Sequence, residues 1–183
     1  MLASFDLAQG RVTDARSRLT SFGSLLPGIT DPMKRAIGTL YDRLRGEVVL
    51  AEGSADKAVE ILEKATPPGK PPTIQNLLSI YNMPFPRDAL ARAYLAQGAL
   101  DKAVAEYEGL TTFDPGKEDR TLIDPRLHYG LAKLYERKGL AAKAFERYRR
   151  FLVLWKDADR DLPEYADAKR RLAALALEGN NNQ

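Results

Sequence analysis

Residues 90–107 read LARAYLAQGALDKAVAEY, and this stretch decides the fold. Small and apolar residues recur at helical spacing on both sides of Gly98, with Ala103 and Tyr107 on one face of the second half. Glycine takes the left-handed backbone conformation that ends a helix without a side-chain penalty. The stretch therefore predicts two helices joined by a turn at Gly98.

The same pattern occurs four times along the chain: a glycine, an alanine five residues later, and a large apolar residue four positions after that. The triplets are Gly10, Ala15 and Leu19; Gly53, Ala58 and Leu62; Gly98, Ala103 and Tyr107; and Gly139, Ala144 and Tyr148. Their glycines lie 43, 45 and 41 residues apart. A period of this length indicates a stack of helical hairpins, each of which buries its apolar face on its neighbours.

A second small residue lies seven positions before three of these glycines, at Gly46, Ala91 and Ala132. Small side chains at facing positions let two antiparallel helices approach closely. We therefore expect these residues and the triplet alanines to be buried where helices touch.

Composition indicates a folded protein and excludes several classes of function. Of the 183 residues, 44% are hydrophobic and 29% are charged, which is typical of a globular chain. The net charge of +3 is too small to indicate a nucleic acid or a membrane as the partner. There is no cysteine, no signal peptide pattern and no apolar run that would span a membrane, so we expect a cytoplasmic protein.

Two of the units resemble the tetratricopeptide repeat (TPR). The residues that carry the resemblance are Leu90-Ala91, Tyr94, Gly98, Ala103, Tyr107 and Pro115, and Leu131-Ala132, Tyr135, Gly139, Ala144 and Tyr148. The resemblance implies an all-α fold, a right-handed superhelix of about four TPR-like helical hairpins with a C-terminal capping helix. The usual TPR period is about 34 residues, so the extra length here is expected to fall between the units.

The whole chain is expected to form one repeat domain. Its units are a partial one at 1–30 and three more at 31–66, 84–117 and 125–158, with an insertion at 67–83 and a capping helix at 162–178. Within the second unit, Asp31-Pro32 predicts a long helix from Pro32 to Ala51.

The two ends of the chain lead to different expectations. The first helix of the partial unit would begin before Met1, which favours a chain excised from a longer protein. In the capping helix, Arg170 and Arg171 are expected to face water, and Gly179 is expected to end the helix. Residues 151–163 and this helix are also similar to the C-terminal repeats of large bacterial signalling proteins.

No catalytic or metal-binding pattern is present, so we predict neither an enzyme nor a cofactor. His128 is the single histidine, and a packing role is favoured over that of a base or a ligand. Asp157, Asp159 and Asp161 lack the glycine and the glutamate of a calcium loop. The arginines of residues 147–150 are expected to be the solvated face around an inward Tyr148, which argues against nucleic acid.

In TPR folds the first helix of each unit lines the concave side, and the resemblance implies the same here. Helical spacing on those helices selects a predicted peptide-binding groove composed of Arg43, Glu47, Phe85, Asp88, Arg92, Arg126, Tyr129, Lys133 and Arg137. Arginines next to aromatic side chains are typical of binding hot spots. Their excess of positive charge favours an acidic peptide or a C-terminal carboxylate.

The expected function is therefore a non-catalytic scaffold that binds a protein or a peptide through this groove. Two alternatives stay open. One is an intramolecular regulatory or sensor segment of a multidomain kinase or transcriptional regulator. The other is a homo-oligomerisation module that assembles through the truncated N-terminal end.

Overall fold

A computed structural model describes residues 2–29, 31–65, 88–112, 124–157 and 162–181, with the backbone alone at 31–36 and 178–181. These residues form two compact units, one containing the helices α1–α5 and the other containing α6–α9. The helices are α1 (Leu2–Ala8), α2 (Val12–Leu25), α3 (Asp31–Ala51), α4 (Ala55–Ala65), α5 (Ala89–Gln97), α6 (Leu100–Thr111), α7 (Pro125–Arg137), α8 (Ala141–Leu154) and α9 (Pro163–Asn181). The described residues contain no strand, so the fold is all-α.

The four turn glycines are where the repeat pattern places them, and all four have φ between 70° and 84°. After each glycine, the next residue donates its N–H to the carbonyl five positions earlier, over 2.8–3.1 Å. These bonds run from Arg11 to Asp6, from Ser54 to Val49, from Ala99 to Tyr94 and from Leu140 to Tyr135. They form the Schellman type of helix end, in which a left-handed residue lets orphan carbonyls find donors. The predicted role of these glycines is confirmed.

In the first unit, α1 and α2 both contact α3, α3 packs on α4, and α4 packs on α5. Ala15 and Ala58 are fully buried, and Leu62 is almost fully buried. The backbone of α3 at Gly46 lies so close to α4 that a Cβ atom there would stand 2.5 Å from the Leu62 Cγ. Close approach at small residues is therefore observed, and the long helix predicted from Pro32 is present.

In the second unit, α7 packs on α6 and on α8, and α8 packs on α9. Ala132 and Ala144 are fully buried where α7 and α8 meet, and Tyr148 and Phe151 are fully buried beside them. The burial of Tyr148 confirms that it is the inward residue of its arginine-rich segment.

Two expectations for the last helix are wrong. α9 continues to Asn181, so Gly179 does not end it; an interior glycine costs only about 1 kcal/mol relative to alanine. Arg171 does not face water freely, because its guanidinium bonds to Glu136 on α7 and to Asp167 on its own helix. The predicted insertion at 67–83 lies outside the described residues.

Candidate binding surfaces

In the first unit, the candidate groove residues form an ion-pair cluster between α3 and the start of α5. The Arg92 Nε atom donates to Asp88 Oδ1 over 3.1 Å, and the Arg92 Nη2 atom lies 3.5 Å from Glu47 Oε2. Arg43, on the same helix as Glu47, acts electrostatically on that carboxyl. Three of the candidates, Glu47, Asp88 and Arg92, thus lie together, and Arg43 acts on the same carboxyl; that they form a binding groove stays a prediction.

Glu47, however, is not a surface residue, and its place in an exposed groove is wrong. Only 5% of its surface is exposed. Burial raises the pKa of Glu47 to about 7, although Arg92 and Arg43 favour its charged form. Arg92 thus pairs mainly with two carboxylates of this chain, those of Asp88 and Glu47. Phe85, the aromatic candidate in this region, lies outside the described residues.

In the second unit, four candidates share one face of α7: Arg126, Tyr129, Lys133 and Arg137. Arg126 is held at the N-terminus of the helix by Asp124, with a shortest N–O distance of 2.7 Å. Lys133 and Arg137 are exposed, and no carboxylate among the described residues lies within 4.0 Å of either cation. The Lys133 Nζ atom lies 5.4 Å from the centre of the Tyr129 ring. Within the described part of the chain, this face therefore presents two cations without a nearby carboxylate, and one of them, Lys133, lies next to an aromatic ring.

Tyr129 is fixed in position because residues of α8 and α9 contact its ring and its hydroxyl. Its hydroxyl donates to Asp167 Oδ2 over 2.8 Å, and its ring centre lies 6.0 Å from that of Tyr148 and 5.4 Å from that of Phe151. Burial and the bond to Asp167 raise the pKa of Tyr129 to about 12. Tyr129 is thus partly a packing residue and offers only part of its ring to a partner.

Sequence reasoning missed the charged network that supports this face. The Arg171 Nη1 atom donates to Glu136 Oε2 over 2.8 Å, its Nε atom donates to Asp167 over 2.6 Å, and the Tyr148 hydroxyl donates to the same Glu136 oxygen over 2.5 Å. The i, i+4 spacing of Asp167 and Arg171 was a visible signal for one of these bonds. The bonds to Glu136 on α7 depend on how α8 and α9 pack against that helix, which the local sequence does not encode.

The described residues offer little for chemical catalysis. His128 is buried, and its Nδ1 atom lies 3.5 Å from Arg147 Nη1. Burial and the charges of Arg147 and Arg150 lower the pKa of His128 to about 4, which makes it a weak base at neutral pH. Within the part of the chain that the structure describes, no three histidine or carboxylate side chains are grouped as metal ligands.

None of the helices, over the stretches that could be searched, is both long enough and apolar enough to cross a bilayer.

Comparison with solved structures identifies the fold. The chain matches a crystal structure of a Podosopora anserina protein described as a kinesin light chain with nearly identical TPR-like repeats, at a TM-score of 0.57 and 21% sequence identity. The match covers 98% of this chain and 84% of the other. A single-residue variant of that protein matches with 20% identity and a TM-score of 0.57, and this match also covers 98% of this chain and 84% of the other. The fold is a TPR-like helical repeat. No protein-family model matches the sequence, and no curated protein is significantly similar to it.

Proposed function

We propose that this TPR-like chain is a non-catalytic scaffold and that it binds a partner protein through the exposed face of α7. The observation that supports this most is a pair of cations, Lys133 and Arg137, that have no carboxylate within 4.0 Å among the described residues; Lys133 also lies next to the Tyr129 ring. Protein interfaces favour tyrosine and arginine, and a ring that is already fixed loses little entropy on binding. The positive charge favours an acidic segment or a C-terminal carboxylate as the ligand.

Affinity capture from a lysate of the organism that encodes the chain tests this proposal. The double variant Lys133→Glu, Arg137→Glu should recover at least about tenfold less of any partner, a loss that corresponds to about 1.4 kcal/mol or more. The matched control is Lys57→Glu, Lys156→Glu, which changes the net charge equally at exposed lysines elsewhere. If both double variants lose the partner equally, or neither loses it, α7 is not the binding face.

Self-association through α1 is a second candidate, because two large apolar side chains of that helix are exposed. Leu2 is 61% and Phe5 is 57% exposed, and adjacent apolar side chains of this kind often mark interfaces. In sedimentation equilibrium the apparent mass should rise with concentration, and Phe5→Ser should abolish the rise. Leu177→Ser, which removes an exposed leucine from α9, should leave the rise intact. A constant monomer mass up to high concentration contradicts self-association.

The alternative role as a regulatory segment of a larger signalling protein stays a prediction of the sequence, as does the cytoplasmic location.

A further inference from the structure

A cleft of about 720 Å³ lies between α6 and α8, with α7 as its floor. It is an open groove on the surface of the second unit and not an enclosed cavity. The floor is formed by the side chains of His128 and Tyr135, and one wall by Lys143, Arg147 and Arg150 of α8. All of these residues belong to the second unit.

The three cations of the α8 wall have no carboxylate within 4.0 Å among the described residues. Two glutamates also line the cleft: Glu108 accepts a hydrogen bond from the hydroxyl of Tyr135 in the floor, and Glu146 pairs with Arg149 over 3.2 Å. Among the described residues, the cleft thus contains three cations and one carboxylate, Glu108, that has no cation within 4.0 Å, so an excess of positive charge remains.

His128 adds no negative charge to the cleft. Arginine only donates hydrogen bonds, so a hydrogen bond from Arg147 to His128 Nδ1, which lies 3.5 Å from Arg147 Nη1, requires Nδ1 to be the acceptor. The imidazole is therefore a neutral, buried dipole in the floor of the cleft, and Arg147 keeps its full charge.

The cleft is separate from the surface proposed above. Successive helical residues are about 100° apart, so His128 and Tyr135 lie on the side of α7 opposite to Lys133 and Arg137. A ligand in the cleft would leave the Lys133 face of α7 open, and each surface can be altered without the other.

We propose that this cleft binds an acidic peptide segment of a partner protein, as a second recognition site. Lys143, Arg147 and Arg150 follow each other at i, i+4 and i+7, so at 1.5 Å per residue they extend over about 10 Å of the α8 axis. A row of cations of that length matches several carboxylates along an extended peptide better than it matches one compact anion. The neutral side chains of Thr111 and Ala142 line the same cleft and add no charge to it.

The experiment uses acetyl-tetraglutamate-amide as the probe at low ionic strength, with binding followed by NMR on the full chain. We expect saturable chemical-shift changes centred on residues Lys143–Arg150. The affinity for the peptide should be at least about fivefold weaker in Arg147→Gln and in Arg150→Gln. Arg150 is exposed, so its variant should fold normally even if the Arg147 variant does not. The matched control, Arg137→Gln on the opposite face of α7, should change this affinity less than twofold.

Three outcomes overturn the cleft proposal. They are shifts centred on Lys133 instead of the cleft, an equal loss of affinity in Arg137→Gln, and inorganic phosphate binding to the cleft as tightly as the peptide. The first two outcomes would not contradict the proposal that a partner binds α7. Conversely, if Lys133→Glu, Arg137→Glu captured as much partner as the wild type, the cleft proposal would not be contradicted.

Discussion

Glu47→Gln should make the first unit more stable than the wild type at pH 8, by up to about 3 kcal/mol. The folded chain raises the pKa of Glu47 from 4.5 to about 7 because burial disfavours its charged form. Each unit of pKa shift corresponds to about 1.4 kcal/mol. Glutamine has nearly the same shape and no charge, so it removes this penalty, while Arg92 keeps its bond to Asp88.

The sign of the pH dependence follows from proton binding. Between pH 4.5 and about 7 the folded state holds the Glu47 proton more tightly than the unfolded state, so the contribution of Glu47 to stability falls as the pH rises through this window. Below pH 4.5 both states are protonated, and the advantage of Glu47→Gln should nearly vanish.

Urea unfolding at pH 4.5, 6 and 8 measures this difference. Glu60→Gln on α4 is the control, because that glutamate is exposed and its bond to Lys64 lowers its pKa instead. The control should show no gain in stability above pH 7. An advantage of Glu47→Gln that is the same at all three pH values would contradict a buried, titrating Glu47.

Gly46→Ala should destabilise the first unit by up to about 2 kcal/mol, although alanine is the better helix former. The new Cβ would stand 2.5 Å from Cγ and 2.6 Å from Cδ2 of Leu62. Because Leu62 is almost fully buried, it has no space to move away. Overpacking of this kind costs about 1–3 kcal/mol, and the gain in helix propensity of about 1 kcal/mol offsets only part of it.

Gly109→Ala in α6 is the control for this substitution. A Cβ at Gly109 meets no atom within 4 Å, and the position is exposed. It should therefore show only the propensity gain, up to about 1 kcal/mol in the stabilising direction. Chemical denaturation followed by circular dichroism compares the two variants. If both are stabilised, α3 and α4 are not as close as the account requires.

The sequence predicts the helical hairpins well because their determinants are local. A left-handed turn needs glycine, and a close contact needs a small side chain, so the positions of Gly53, Ala58, Gly139 and Ala144 are readable without knowledge of the rest of the fold. The long spacing between units departs from the usual TPR period and was equally visible in the sequence.

The candidate surfaces are less readable from the sequence, because exposure and charge pairing depend on neighbouring helices. Helical spacing placed Glu47 on the same face as Arg43 correctly, but only the packing of α3 shows that the carboxyl is buried. In the same way, spacing placed Arg171 toward water, whereas the docked α9 brings it within 2.8 Å of Glu136. The cationic wall of α8 could be seen in the sequence, but the cleft beside it could not.

Photo-cross-linking tests most directly whether a partner protein binds the exposed face of α7. A photoreactive phenylalanine analogue placed at Lys133 should cross-link to one partner in the native host, and the same analogue at Lys57 on α4 should not. Cross-linking from both positions with equal yield, or from position 57 alone, would contradict the account.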